Sequence, residues 1–156
     1  MSIQWKKLVV CILLPLAVGG FSAFLTMGGK AAFDEQLNKP PLTPPGWVFF
    51  VVWTVLYILM GISSYIILTS EFDGRKRPAL FVYLVQLIFN FLWPLVFFGT
   101  ENYIAAFLVL VVLWILIYIT FRMFYSMKKS AGYLIIPYLI WVAFAGYLNI
   151  GVFLLN

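Results

Sequence analysis

The chain has 156 residues, of which 65% are hydrophobic and 10% charged, with a formal net charge of +5. A water-soluble domain of this length could not bury so much apolar surface, so the composition excludes an ordinary soluble fold and predicts a membrane protein. Because there is no histidine and only one cysteine, the sequence also lacks the commonest general base and the usual haem and zinc ligands, and it predicts neither a disulfide nor a metal site.

Five stretches of the chain carry no charged side chain, and each is long enough to cross a bilayer, which takes about 20 residues of α-helix. In lipid only helices and closed barrels satisfy every backbone hydrogen bond, and these stretches lack the alternation of barrel strands. We therefore predict an all-α integral membrane protein, a single domain over residues 1–156. Its five transmembrane helices are predicted at about 6–27, 44–69, 78–99, 102–124 and 131–154.

The first span follows Lys6 and Lys7 and could be mistaken for a secretory signal peptide. Its apolar stretch, residues 8–27, is longer than the roughly 7–15 residues of a signal-peptide core, so we expect an uncleaved helix. A patch of small residues favours close packing of this helix against a neighbour. The patch consists of Gly19, Gly20, Ser22 and Ala23.

The connection between the first two spans, residues 28–45, is the one long loop of the sequence. Ala31, Ala32, Phe33 and Leu37 are offset against charged residues, which is typical of a short amphipathic helix lying over the mouth of a bundle. Long loops in compact domains often act as functional lids. We therefore name residues 28–45 the lid.

Prolines crowd the end of the lid, which reads Lys39-Pro40-Pro41-Leu42-Thr43-Pro44-Pro45-Gly46-Trp47. A residue before proline is pushed away from helical backbone angles, so residues 39–43 are expected to be extended. Thr43 is then the predicted N-cap of the second span, with Pro44 at its first helical position. Two interpretations stay open: a stiff helix start, or the entrance to a ligand site.

Side chains that suit a ligand site fall on single faces of three spans, because they repeat at intervals of three or four residues. The second span carries an aromatic row, and the rows of the third and fifth spans combine aromatic and amide side chains. The three rows are Phe49, Trp53 and Tyr57; Gln86, Asn90, Trp93 and Phe97; and Pro137, Trp141, Ala145 and Asn149.

The amide side chains within these spans are expected to point inward, because an unpaired amide is costly in hydrocarbon. For Gln86 and Asn90, hydrogen bonding between helices and contact with a ligand are both open. For Asn149, hydrogen bonding between helices is favoured.

In a chain that crosses the membrane five times, the ten basic residues are divided unevenly between the two sides. Only Lys30 and Lys39 fall on the side of the lid. The positive-inside rule then places the N-terminus in the cytoplasm, and we expect a multi-pass protein of a bacterial cell membrane. No exposed aromatic residues interleave with the charges, so a nucleic-acid partner is not expected. The other eight basic residues are Lys6, Lys7, Arg75, Lys76, Arg77, Arg122, Lys128 and Lys129.

An ordered set of motifs covers nearly the whole chain: Lys39-Pro40, Pro44 to Trp47, Trp53 to Tyr57, Gln86 to Phe98, Pro137 to Trp141, and Leu148-Asn149. This set resembles the translocator protein family, also called the tryptophan-rich sensory protein family. The resemblance implies a homodimeric five-helix bundle in a lipid bilayer. It also implies a pocket beneath the first loop that binds porphyrins and, in some members, sterols and synthetic isoquinoline or benzodiazepine ligands.

Carried over position by position, the resemblance implies a pocket on the inward faces of three spans, with part of the lid above it. Lys39 is the candidate contact for the propionates of a porphyrin, and no cofactor beyond the porphyrin ligand is expected. The predicted ligand-binding residues are Leu37, Lys39, Pro44, Pro45, Phe49, Trp53, Gln86, Asn90, Trp93, Trp141 and Ala145.

The chain departs from the family pattern in two places. Phe33-Asp34 stands where family members often carry Trp-Tyr, and Leu42 stands where they often carry an aromatic residue. Ile150 and Leu154 stand where animal members have the Tyr and Arg of a proposed cholesterol motif, so weak or absent sterol binding is expected.

The leading functional hypothesis is a membrane receptor or carrier for flat tetrapyrroles such as protoporphyrin IX, with aromatic stacking faces and a few orienting polar groups. An alternative is a light-dependent photo-oxidase that degrades the porphyrin, with Trp53 and Trp141 as redox-active side chains. A second alternative is a transporter of such molecules, which the absence of charged residues and inverted repeats within the spans disfavours.

Overall fold

A computed structural model describes residues 2–156, and this part of the chain is helical without β-strands. Five helices are long and apolar enough to span a membrane, which confirms the predicted all-α five-helix architecture. A sixth, shorter helix lies in the lid. The helices are α1 (Trp5–Leu25), α2 (Met27–Gln36), α3 (Gly46–Leu68), α4 (Asp73–Pro94), α5 (Tyr103–Met127) and α6 (Lys129–Leu155).

The helix of the third span begins inside the charged loop that precedes Pro78. Helix α4 starts at Asp73, five residues before the predicted boundary at Pro78. Charged residues do not prevent a helix outside the hydrocarbon core, and the Asp73 carboxylate lies 2.7 Å from the Lys76 ammonium, one turn further on. At its other end α4 continues into a π-helical turn, Leu95–Gly99, directly after Pro94.

The spans pack in a ring in the order α1, α3, α6, α5, α4 and back to α1. Since lipid offers no hydrophobic drive between helices, close packing and hydrogen bonds hold such a bundle together. A Cβ atom added at Gly61 in α3 would lie only 2.6 Å from the Cα of Ile12 in α1, so the glycine permits this close crossing. The Ser63 hydroxyl donates across to the backbone oxygen of Ala131 at 2.7 Å, joining α3 to α6.

The small-residue patch of α1 is divided between two environments. Gly19 and Ser22 are buried, and Gly19 lies against the ring of Tyr57. Gly20 and Ala23 are exposed on the outer surface. Only half of the patch therefore serves packing within the chain.

The first half of the lid forms α2, which lies over one end of the bundle as an amphipathic helix would. The ring of Phe33 makes edge contacts at 5.6 Å with the rings of Phe97 and Phe98 in the π-helical turn. Gly29 lies against the backbone of Phe98, where a larger residue would collide. Aromatic contacts therefore hold α2 against the π-helical turn.

The second half of the lid, residues 37–45, is called the strap here, and its path differs from the predicted one. The chain turns at Pro41 and Leu42, with Leu42 in the left-handed region at φ 69°, so the prediction of a wholly extended segment is wrong. The predicted N-cap is also wrong, because the Thr43 hydroxyl donates to the Pro40 oxygen at 2.6 Å and α3 starts only at Gly46. Pro44 itself precedes a proline, which keeps it out of the helical region.

The strap is fixed to the last turns of α6. The Tyr147 hydroxyl donates to the Pro41 oxygen at 2.8 Å. The side-chain amide of Asn156 forms a reciprocal pair with the backbone of Asn38, at 2.9 and 3.1 Å. Pro40 is buried against Gly151, where an added Cβ would lie 2.6 Å from the proline ring. These contacts hold the strap over the mouth of the bundle.

Candidate ligand-binding site

A cavity of about 90 Å³ lies between the lid and the adjoining ends of α3, α4 and α6. Its walls are mostly aromatic and aliphatic, and Asp34 is the one charged residue among them. Four of the predicted site residues line it: Phe49, Trp53, Trp93 and Ala145. The remaining lining residues are Phe33, Asp34, Thr43, Phe97, Phe98, Leu148, Asn149 and Val152.

Helix α3 contributes the aromatic row that its four-residue spacing predicts. Phe49 and Trp53 line the cavity one turn apart. Below them, the indole of Trp53 stacks on the ring of Tyr57 with centroids 5.6 Å apart and meets the edge of Tyr138 at 6.2 Å. The wall therefore has a rigid aromatic backing, which limits the rotation of Trp53.

The indole of Trp93 is held in place by Asn149. Its Nε1 donates to the Asn149 side-chain oxygen at 3.0 Å, and the amide nitrogen of Asn149 donates to the Tyr103 backbone oxygen at 2.8 Å. The hydrogen bonding between helices predicted for Asn149 is thus confirmed, since it joins α6 to both α4 and α5. Because these bonds occupy the amide at both ends, its role at the cavity is to orient Trp93.

Gln86 and Asn90 lie below the cavity in a buried hydrogen-bond network. Tyr57 donates its hydroxyl proton to the Asn90 oxygen at 2.9 Å. The Asn90 amide nitrogen donates to the Tyr138 hydroxyl at 2.6 Å, and that hydroxyl donates to the Gln86 oxygen at 2.7 Å. Both amides are almost fully buried, and neither lines the cavity. The geometry favours the interhelical interpretation of the two that the sequence left open.

The predicted residues of the lid lie at its surface or beside the cavity. Lys39 places its ammonium 3.4 Å from the Asp34 carboxylate and 5.0 Å from the centre of the Phe33 ring. Leu37 lines a separate small cavity of about 30 Å³ under α2. Pro44 is half-buried and Pro45 exposed, and neither lines the main cavity.

Trp141 lies behind the cavity wall. Its ring meets the edge of Phe49 at 5.7 Å, so it supports a lining residue from the second layer. Its buried indole nitrogen has no hydrogen-bond partner among residues 2–156. An unpaired buried donor next to an aromatic wall is costly, and it is available to an acceptor that reaches it.

Within residues 2–156, no group of three or more His, Cys, Asp or Glu side chains is placed so that it could hold a metal ion. The site offers aromatic surface, one amide and an ion pair at its edge. Such a donor set suits a flat, largely apolar organic molecule better than a metal ion.

Comparison with known proteins identifies the family. The family model described as TspO/MBR matches residues 11–155. The chain belongs to the TspO/MBR family. It is 39% identical over 152 residues to the tryptophan-rich protein TspO of Archaeoglobus fulgidus, covering 96% of this chain and 97% of that protein. It is 36% identical over 152 residues to the translocator protein of Bos taurus, covering 96% and 89%.

A third relative of this TspO/MBR protein is the tryptophan-rich sensory protein of Cereibacter sphaeroides, 40% identical over 122 residues that cover 78% of this chain and 75% of that one. The resemblance predicted from the sequence motifs is therefore confirmed. With five helices able to span a membrane, the chain is a multi-pass integral membrane protein.

Some lining residues of the TspO/MBR site were not predicted from the sequence. Leu148 and Val152 continue the α6 face at intervals of three and four from Ala145 and Leu148, so extending the predicted row would have found them. Phe98 lines the cavity because the π-helical turn rotates it toward α2. Periodicity and hydropathy do not signal that turn.

Proposed function

We propose that this TspO/MBR protein is a membrane receptor or carrier that binds flat tetrapyrroles such as protoporphyrin IX in the cavity beneath the lid. The observation that carries the proposal is the convergence of Phe49, Trp53 and Trp93 around the small side chain of Ala145. Aromatic walls supply stacking surface for a planar conjugated ligand, and a small residue between them leaves room for its edge.

Binding of a tetrapyrrole requires the lid to move. The cavity of about 90 Å³ is well below the roughly 300–1,000 Å³ of pockets that take organic ligands of drug size. Part of its wall is Phe33, Asp34 and Thr43, which belong to the lid. Because the rest of the wall lies on packed transmembrane helices, displacement of α2 and the strap is the route to a larger site.

The acidic groups of a porphyrin have two candidate partners, one on the lid and one behind the cavity wall. The Lys39 ammonium can exchange its partly exposed contact with Asp34 for a propionate of the ligand. The indole nitrogen of Trp141, behind Phe49, is a donor that the protein itself leaves unpaired. Both suit an anionic edge on an otherwise apolar ring.

The test is a titration of the purified protein with protoporphyrin IX, followed by quenching of tryptophan fluorescence. Trp53→Phe should weaken binding by at least several-fold, because it shortens the stacking surface. Trp5→Phe is the matched control, since Trp5 is 64% exposed and lies at the far end of α1. Equal affinity of the wild type and Trp53→Phe would remove this cavity as the porphyrin site.

Light-driven degradation of the bound porphyrin is the second candidate, because Trp53 both lines the cavity and stacks on Tyr57. Molecular oxygen would be the oxidant that accepts electrons from the photo-excited porphyrin, and Trp53, stacked on Tyr57, is a redox-active side chain beside the oxidised ring. Illumination of the complex separates the two functions. A receptor leaves the porphyrin absorbance stable, whereas a photo-oxidase bleaches it at a rate that falls in Trp53→Phe.

A further inference from the structure

Another cavity, of about 540 Å³, lies at the end of the bundle opposite the lid. It is formed where α1 begins, α3 ends and α6 begins, and we name it the basal pocket. Polar residues form a larger part of its wall than of the wall of the cavity beneath the lid. Its walls include Gln4, Tyr65, Thr69, Glu71, Lys128 and Ser130.

The charge around the basal pocket is strongly basic. This end of the bundle carries eight of the ten basic residues but only two acidic ones, Glu71 and Asp73. Asp73 is already paired with Lys76 at 2.7 Å. Lys128 lines the pocket and forms no ion pair within residues 2–156; its nearest aromatic contact is the Phe72 ring, 6.0 Å away. Lys128 therefore brings an ammonium group without an ion-pair partner to the edge of the pocket.

Two hydroxyl groups add donors to this ammonium. The Tyr65 oxygen accepts the backbone N–H of Gln4 at 2.9 Å, and its own proton has no acceptor in the described chain. Ser130 likewise uses its hydroxyl in no hydrogen bond there. An ammonium and two hydroxyl donors around one cavity match the oxygens of a phosphate group.

The depth of the pocket decides between a soluble phosphate and a lipid. It lies at the ends of three transmembrane helices, which is the level of the lipid headgroups. Trp5, at the start of α1, is 64% exposed, as an aromatic anchor at the membrane interface would be. Ile3 and Ile66 give the pocket an apolar wall. These features fit a headgroup whose acyl chains continue into the bilayer.

We propose that the basal pocket binds the phosphate headgroup of an anionic phospholipid, with phosphatidylglycerol as the test ligand. Lys128 supplies the charge, and Tyr65 and Ser130 donate hydrogen bonds to the phosphate oxygens. Glu71 opposes the anion and limits the affinity. The surrounding basic residues disfavour the quaternary ammonium of phosphatidylcholine. The pocket is distinct from the porphyrin cavity, so this proposal does not depend on porphyrin binding.

The experiment is native mass spectrometry of the full chain, released from micelles that contain equal amounts of phosphatidylglycerol and phosphatidylcholine. The wild type should retain phosphatidylglycerol preferentially. Lys128→Gln should lower that retention about fivefold, the effect of one basic residue at a membrane surface. Glu71→Gln should raise it, because the amide keeps an acceptor but loses the charge. Arg122→Gln is the matched control, since Arg122 carries the same charge at the same end but lies outside the pocket.

Three results would overturn the proposal: equal retention of the two lipids by the wild type, an equal loss in Lys128→Gln and Arg122→Gln, or displacement of phosphatidylglycerol by millimolar inorganic phosphate. The second would show a diffuse basic surface, and the third a site for a soluble anion. Melting temperatures of all variants verify folding. Ser130→Ala, which removes only a hydroxyl, should lower retention severalfold and provides a second measure if Lys128→Gln is unstable.

Discussion

Ala145 has the smallest side chain on the wall of the cavity beneath the lid. It is 4% exposed and lines the cavity together with Trp53 and Trp93. Placing a larger side chain in a fitted site commonly costs about 1–3 kcal/mol, or roughly 5- to 150-fold in affinity. We therefore expect Ala145→Leu to weaken protoporphyrin binding at least fivefold in a fluorescence titration, while the protein still folds.

The control for this substitution is Ala143→Leu, which adds the same volume to α6 at an exposed position. It should leave porphyrin affinity unchanged. If Ala145 served only helix packing, Ala145→Leu would lower the melting temperature without altering affinity in the folded fraction. That result would place the ligand elsewhere.

Asn149 acts on the site through Trp93, because its side-chain oxygen accepts the indole N–H. Asn149→Leu leaves that donor and the Tyr103 backbone oxygen without partners, and each unpaired buried group costs about 1–3 kcal/mol. We expect a lower melting temperature together with weaker porphyrin binding, since the Trp93 ring loses its fixed orientation. A stable variant with wild-type affinity would contradict this role.

At the level of single residues, the sequence predicts which faces of the spans turn inward but not which partner each side chain finds. Phe49, Trp53 and Trp93 line the cavity as their spacing suggests. Gln86 and Asn90 also point inward, but two tyrosine hydroxyls from other helices engage them below the cavity. Pairing between helices depends on their relative rotation, which a periodicity within one helix does not contain.

Among the elements, the strap is the one whose contacts should govern the rate of ligand exchange. Tyr147→Phe removes its hydrogen bond to the Pro41 oxygen. A neutral hydrogen bond contributes about 0.5–1.5 kcal/mol, and this one is exposed, so the low end applies. We expect porphyrin association and dissociation to become about two- to fivefold faster in stopped-flow fluorescence.

Tyr118→Phe is the control for the strap substitution, because Tyr118 is an exposed tyrosine on α5 outside the lid. It should leave both rates unchanged. Unaltered rates in Tyr147→Phe would show that the strap is not the barrier to entry.

Prediction at the level of elements succeeds where length and hydropathy decide the structure. All five spans and the short lid helix follow from apolar runs and an amphipathic pattern. The strap and the π-helical turn do not, since both depend on consecutive or internal prolines together with packing on neighbouring helices. Pro44 and Pro45 delay the start of α3 beyond the predicted position, and contacts with α6 select the turn at Leu42.

For the whole molecule, the uneven distribution of basic residues leads us to propose that the N-terminus faces the cytoplasm and the lid the opposite side. Single cysteines at Asp73 and Asp34, in a Cys11→Ala background, report the two ends. A membrane-impermeant maleimide added to intact cells should label the cysteine at position 34 and not the one at position 73. Labelling of the cysteines at positions 34 and 73 from the same side would exclude this membrane topology.

The buried network of Tyr57, Asn90, Tyr138 and Gln86 has a consequence for how the helices assemble. Gln86 and Asn90 are one turn apart on α4, and each amide oxygen accepts from a hydroxyl on a different helix. Sliding α4 by one turn would bring Gln86 to the position of Asn90 and Val82 to the position of Gln86. The Tyr138 hydroxyl proton would then lose its acceptor in a medium without water. Buried polar groups fix helix register in this way. The network thus selects one alignment of α3, α4 and α6 along the bundle axis, and with it the depth at which Trp53 and Trp93 line the cavity.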